Sequence, residues 1–86
     1  MDPNKRRHIF GEPRHRLDRL VRLYGSEAAA AEAIGSRIEA AFKNGELIFD
    51  SNGLFRQVFD IGGISVTVSG RVIEGIPRVG TAWVAP

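Results

Sequence analysis

The chain has 86 residues, no cysteine and a formal net charge of +2. This length suits one domain, so we predict a single domain over residues 1–86. The lack of cysteine excludes disulfide bonds and thiolate-ligated metal sites. No stretch approaches the roughly 20 apolar residues that a membrane-spanning helix needs, so no membrane span is expected.

The charge is unevenly placed along the chain. Residues 1–23 carry seven Lys/Arg against three Asp/Glu, a balance of +4, whereas the remaining residues carry five against seven, a balance of −2. We interpret residues 1–13 as a basic leader. Such asymmetry predicts that the basic end of the domain meets a polyanion.

Helical periodicity dominates the first half of the chain. It predicts one helix over about 14–24 and a second over about 27–44, because apolar residues recur at helical spacing in both. Gly25 suits the end of the first helix, and Ser26 suits the cap of the second. Gly35 within the second helix is either a weak point or a place where a neighbour comes close.

After residue 45 the period changes to that of strands, with glycine-containing turns between them. The predicted strands cover about 46–50, 54–61, 63–73 and 78–85. The fold class is therefore α+β, with two N-terminal helices packed on a four-stranded antiparallel β-meander. We expect Trp83 to belong to the core or to its edge.

The segment KRRHIFGEPRH contains both histidines of the chain, His8 and His15. No third metal ligand stands near them in sequence, and the acidic residues are scattered, so neither a metal nor another cofactor is predicted. Imidazoles titrate near neutral pH and can serve as base and acid in RNA transesterification. Four nearby cations could bind the phosphate: Lys5, Arg6, Arg7 and Arg14.

The closing stretch GGISVTVSGRVIEGIPRVGTAWVAP, together with the basic segment that holds the histidines, resembles a known family. It is similar to the C-terminal toxin domains of bacterial contact-dependent inhibition and other polymorphic toxins. These domains look like members of the barnase/EndoU/colicin/RelE-like group of metal-independent endoribonucleases. The resemblance covers most of the chain, and it implies N-terminal helices packed on a four-stranded antiparallel sheet.

The resemblance also implies roles for particular residues. His8 and His15 would be the general acid and base, and Arg78 and Thr81 would contact the scissile phosphate, with Arg71 as a further RNA-binding candidate. Strand alternation places Arg78 and Thr81 on opposite faces unless a bulge at Gly80 redirects one of them. The nuclease hypothesis requires the histidines to converge on the cleft that holds Arg78 or Thr81.

The resemblance further implies a biological setting. The domain would be the C-terminal part of a secreted or surface-displayed toxin that acts in the cytoplasm of the target cell. Its substrate would be RNA, with tRNA expected. Its partner would be a cognate acidic immunity protein, which would bind the monomeric toxin as a heterodimer and suit its basic charge.

Two other functions stay open from the residues themselves. The domain could bind nucleic acid without cleaving it, because the two helices loosely resemble a helix-turn-helix. The opening turns of the second helix offer mostly Ala and Glu, however, which are poor readers of bases. The domain could also be a protein-interaction module that pairs a sheet edge with a partner.

Overall fold

A computed structural model describes residues 16–84 together with Asn4, Arg6 and Ile9. In this part of the chain, two helices precede three strands: α1 (Asp18–Tyr24), α2 (Glu27–Lys43), β1 (Leu54–Ile61), β2 (Ile64–Ile73) and β3 (Ile76–Val84). The α+β class and the antiparallel meander are thus present, but the sheet has three strands where four were predicted. None of the described helices is both long and apolar enough to cross a membrane.

Helix α1 begins later than the predicted residue 14. Arg16 has a φ of 53°, in the left-handed region that an α-helix cannot contain, so the helix starts only after it. The end of α1 agrees with the prediction. Gly25 adopts the left-handed conformation, with φ 93°, and its N–H donates to the Val21 carbonyl oxygen.

Helix α2 starts as the sequence indicates. The Ser26 Oγ accepts a hydrogen bond from the Ala29 N–H at 3.0 Å, which satisfies one of the free donors at the helix start. The apolar stripe of α2 is buried and consists of Ala30, Ala31, Ile34, Ile38 and Ala41. The helix ends at Lys43, one residue before the predicted end.

The predicted strand over 46–50 is wrong, because these residues form no strand. The side-chain amide of Gln57 takes over their backbone hydrogen bonds: its Nε2 donates to the Glu46 carbonyl, and its Oε1 accepts from the Ile48 N–H. The Asp50 carboxylate accepts from the N–H groups of Asn52 and Leu54. Side chains thus replace the ladder that a fourth strand would supply.

The three strands follow one another in the sheet in the order β1-β2-β3, and both pairs are antiparallel. Each connection is a two-residue turn with positive φ at both positions. The φ values are 62° and 82° at Gly62–Gly63, and 52° and 77° at Glu74–Gly75. This is the φ pattern of type I′ turns, whose twist matches that of the flanking strands. Both turns lie where the sequence predicted them.

One face of the sheet packs against the helices and forms the core. Its buried side chains are Phe55, Phe59, Val66, Val68, Ala82 and Val84. They join the apolar residues of α1 and α2, and Ile9 is fully buried in the same cluster. Every buried residue in the described part of the chain is apolar. The opposite face, called the outer face below, is left to solvent and carries polar side chains together with exposed apolar ones.

Candidate functional site

The outer face is rich in arginine and hydroxyl side chains. Strand alternation and the pairing register place its members: Leu54, Arg56, Val58 and Asp60 on β1; Ser65, Thr67, Ser69, Arg71 and Ile73 on β2; Ile76, Arg78, Thr81 and Trp83 on β3. All of them are exposed or half-buried. The hydroxyl residues of β2, Ser65, Thr67 and Ser69, thus all lie on this face.

A β-bulge in β3 determines which side chains share this face. Ser69 pairs with Thr81, but the next residue of β2, Gly70, pairs with Val79, so Gly80 is the extra residue. A bulge shifts the alternation by one position, and it does so between Arg78 and Thr81.

Arg78 and Thr81 consequently lie on the same face. Arg78 is directly opposite Arg71 on β2, and Thr81 is directly opposite Ser69, two positions along. The condition that the sequence set for their joint action, a bulge at Gly80, is met. The structure therefore brings together three of the predicted site residues: Arg71, Arg78 and Thr81.

A shallow cavity of about 690 Å³ opens at this point of the sheet, between the guanidinium-bearing residues Arg56, Arg71 and Arg78. Two glycines, Gly70 and Gly80, are part of its lining. The glycine is required at position 70, because a Cβ would collide with the Arg78 carbonyl oxygen and the Phe55 ring.

The charges around the cavity are not balanced. Arg71 and Arg78 occupy directly opposed positions on neighbouring strands, where like charges destabilise the pairing. Within residues 16–84, neither they nor Arg56 forms an ion pair, whereas Arg22, Arg37 and Lys43 each lie within 4 Å of a carboxylate. The nearest acidic member of the face along β1, Asp60, accepts a hydrogen bond from the Gly63 N–H at the turn. The three arginines thus form an unneutralised cationic surface.

An aromatic ring lies on the same face. The guanidinium carbon of Arg56 is 5.3 Å from the centroid of the Trp83 ring, which is a cation–π contact. Trp83 is half-buried and pairs with Thr67, so it lies on the outer face. Trp83 was expected in the core or at its edge; it is not among the buried core residues, because its register follows the outer positions of β3.

The hydroxyl of Thr81 is in an unusual state. Its Oγ1 is buried and has no hydrogen-bond partner among the residues that the structure describes. A contact between this oxygen and a phosphate would require a change of the χ1 rotamer. The hydroxyl therefore lies beside the arginines without being presented to solvent.

The other predicted site residues lie mostly outside the described residues: Lys5, Arg7, His8, Arg14 and His15. Arg6 is described, and it is half-buried with helical backbone. The convergence of the histidines on the outer face therefore stays a prediction. In the described part of the chain, no group of three or more His, Asp or Glu side chains is placed to hold a metal ion.

Reasoning from the sequence did not select Arg56 or Trp83 as functional residues. A signal for Arg56 exists in β1, where it alternates with the buried Phe55 and so must point away from the core. For Trp83, the signal is its place between two apolar residues, Ala82 and Val84. Counting back from the buried Ala82 and Val84 places Trp83 on the outer side.

The chain matches no protein-family model, no curated protein and no solved structure.

Proposed function

We propose that this domain is a metal-independent endoribonuclease that binds the RNA backbone on the outer face of its sheet. The observation that carries the proposal is the pair Arg71 and Arg78, directly opposed, without a carboxylate partner in the described chain, beside a cavity open to solvent. Guanidinium groups bind phosphate through charge-assisted, often bidentate hydrogen bonds. A phosphate at this position would relieve the repulsion between the two arginines.

The proposed reaction is an internal transesterification. One histidine of the pair His8 and His15 removes the proton of the 2′-hydroxyl, and the 2′-oxygen attacks the adjacent phosphorus. The bond from phosphorus to the 5′-oxygen breaks, and the second histidine donates a proton to that leaving oxygen. Arg71 and Arg78 stabilise the negative charge that grows on the phosphate oxygens. The products are a 2′,3′-cyclic phosphate and a free 5′-hydroxyl.

The family resemblance extends the proposal to a biological role. In this role the domain is the C-terminal toxin module of a secreted or surface-displayed bacterial protein, with tRNA as its substrate in the target cell. An acidic immunity protein would cover the cationic outer face. The support for such a partner is the same unneutralised arginine surface, which attracts any polyanion.

Cleavage of total RNA in the presence of EDTA tests the proposal. The purified domain is expected to cut RNA and to leave 2′,3′-cyclic phosphate ends. Arg78→Ala is expected to reduce the rate about 100-fold or more, as loss of one transition-state donor does elsewhere. His8→Ala and His15→Ala should each cost roughly 100- to 10,000-fold.

Arg22→Ala is the matched control for the arginine variants. Arg22 is also exposed, but it is paired with Asp18 on α1, so its loss should leave the rate within about twofold of the parent, as is usual for surface changes away from a site. If RNA stays intact with a protein that circular dichroism shows to be folded, the proposal is disproved. Equal cleavage rates for Arg78→Ala and Arg22→Ala would show that the outer face takes no part in the reaction.

A second function is favoured by one specific observation. The outer face offers cations and an aromatic ring, which can bind RNA without any acid–base group. The described part of the chain is thus sufficient for an RNA-binding module that does not cleave. Tight binding to RNA that stays intact, and that survives loss of both histidines, would establish this function in place of the nuclease.

A further inference from the structure

The contact between Arg56 and Trp83 crosses the whole sheet. Arg56 belongs to β1 and Trp83 to β3, which are the two edge strands of the sheet, so the arginine side chain extends across β2 to contact the ring. Arg56 is level with Ser69, whereas Trp83 is level with Thr67, so the contact is diagonal. Arg56 and Trp83 thus form a guanidinium–indole pair on the outer face, called the platform below.

The platform lies a defined distance from the opposed arginines. Along β2, four residues separate Arg71, which pairs with Arg78, from Thr67, which pairs with Trp83. This corresponds to about 13 Å at about 3.3 Å per residue. This separation favours an oligonucleotide over a single nucleotide as the ligand that contacts both Trp83 and the opposed arginines.

We propose that the Trp83–Arg56 platform is a base-stacking site for an unpaired nucleotide, and that the substrate is a single-stranded segment of RNA. This inference rests on the proposed binding of RNA by the outer face. Aromatic rings and guanidinium planes both stack on nucleobases, and unpaired bases are available for such stacking whereas bases inside a duplex are not. The cationic row of Arg71 and Arg78 then holds the backbone that continues from the stacked nucleotide.

The composition of the platform favours RNA as its occupant. A half-buried tryptophan on a solvent-facing strand position gains nothing from the core, and its arginine neighbour has no carboxylate partner in the described chain. Stacking groups next to an unneutralised cationic surface match the two parts of a single-stranded nucleic acid, its bases and its phosphates.

The chain provides its own probe for this site, because Trp83 is its only tryptophan. A short 2′-O-methyl RNA, which lacks the attacking hydroxyl and so stays uncut, is titrated into the intact protein while tryptophan emission is recorded. The single strand is expected to quench the emission. The same strand annealed to its complement is expected to leave the emission nearly unchanged.

Binding by Trp83 variants is measured through the fluorescence anisotropy of a labelled oligonucleotide. Trp83→Leu is expected to weaken binding about 5- to 150-fold, the range found when a stacking ring is removed. Trp83→Phe keeps an aromatic ring and should remain within about threefold. Trp83→Phe also keeps the proposal testable if the leucine variant folds poorly. If a folded Trp83→Phe protein loses binding while Arg56→Ala binds as the parent does, stacking on the platform is contradicted.

The outcomes separate this inference from the proposed function. If the protein cuts RNA in EDTA but its emission does not respond to the single strand and Trp83→Leu binds normally, the platform proposal is overturned and the nuclease stands. Equal quenching by the duplex would also overturn it. Quenching by the single strand without cleavage of total RNA would support the platform and remove the catalytic proposal instead.

Discussion

Thr81 combines two properties that rarely occur together. It faces the same side of the sheet as Arg71 and Arg78, yet its Oγ1 is buried without a hydrogen-bond partner. A buried polar atom that lacks a partner carries a desolvation cost of about 1–3 kcal/mol. A cost of this kind within a candidate site indicates a group that finds its partner when a ligand binds.

Thr81→Val tests this interpretation, because it removes the hydroxyl and keeps the shape of the side chain. We expect the free energy of unfolding to rise by about 1 kcal/mol, since no hydrogen bond is lost and the uncompensated oxygen is gone. RNA cleavage should fall at the same time. Urea denaturation and the cleavage assay measure the two effects separately.

Thr67→Val is the control on the same face. Thr67 has no buried unpartnered oxygen, so both stability and cleavage should change little, within about 0.5 kcal/mol for stability. A Thr81→Val protein that is less stable than the parent would show that the hydroxyl has a structural partner. A Thr81→Val protein that is more stable but cleaves RNA at the same rate would show that Thr81 has no role in the reaction.

Helix α2 contains a glycine that lowers the stability of the helix without allowing a close packing contact. A Cβ placed at Gly35 would meet nothing within 4 Å, and the residue lies in the middle of the helix. Of the two explanations that the sequence left open, a close neighbour is excluded and a weak point remains. Glycine within a helix is less favourable than alanine by roughly 0.5–1 kcal/mol.

Gly35→Ala is therefore expected to raise the free energy of unfolding by roughly 0.5–1 kcal/mol. Gly45→Ala is the matched control. A Cβ there would also meet nothing within 4 Å, but the φ of Gly45 is 72°. A left-handed alanine costs roughly 1–2 kcal/mol, so this variant should lose stability. Thermal or urea unfolding of the two proteins, compared side by side, checks the prediction, and a change of the same sign in both would contradict it.

The elements that the sequence predicted well are those whose signals are local. Ser26 and Gly25 act on residues three or four positions away, and both two-residue turns are set by their own backbone conformation. The strand predicted over 46–50 is absent because its backbone finds other partners: the Gln57 amide hydrogen-bonds to Glu46 and Ile48, and the Ala41 carbonyl accepts from Glu46 and Leu47. Hydrogen bonds of this kind cannot be predicted from the spacing of apolar residues along the sequence.

The candidate site shows the same division. Arg71, Arg78 and Thr81 were named from sequence, but whether they share a face depended on the pairing of Gly70 with Val79 across the bulge. Register across a bulge is decided by the packing of two strands, not by either strand alone. Trp83, in contrast, lies beyond the bulge, and its place on the outer face follows from plain alternation with Ala82 and Val84.

At the scale of the whole molecule, the distribution of charge predicts how binding responds to salt. Each phosphate neutralised in a single strand contributes about −0.7 to the slope of log affinity against log salt concentration. Arg71→Ala should therefore make this slope shallower by about 0.7, along with weakening the binding itself. Titrations of the labelled oligonucleotide at several salt concentrations measure both quantities.

Arg22→Ala should leave the slope as it is in the parent protein, because Arg22 is paired on α1 and lies off the outer face. If Arg71→Ala weakens binding at every salt concentration equally, the arginine supports the face by packing, and its contact with phosphate is disproved. A parallel loss of slope in both variants would mean that the response follows net charge alone.

The meander has a consequence for how fast this domain assembles. Each strand pairs only with its neighbour in sequence, across a two-residue turn, so little loop-closure entropy opposes the sheet. Contacts between residues close in sequence are associated with fast folding, and single hairpins form in about 1–10 μs. Every outer-face group from Arg56 to Trp83 is contained in this one run of chain. The strand pairing of the binding face thus depends on one continuous segment, whereas the core beneath it also needs α1 and α2.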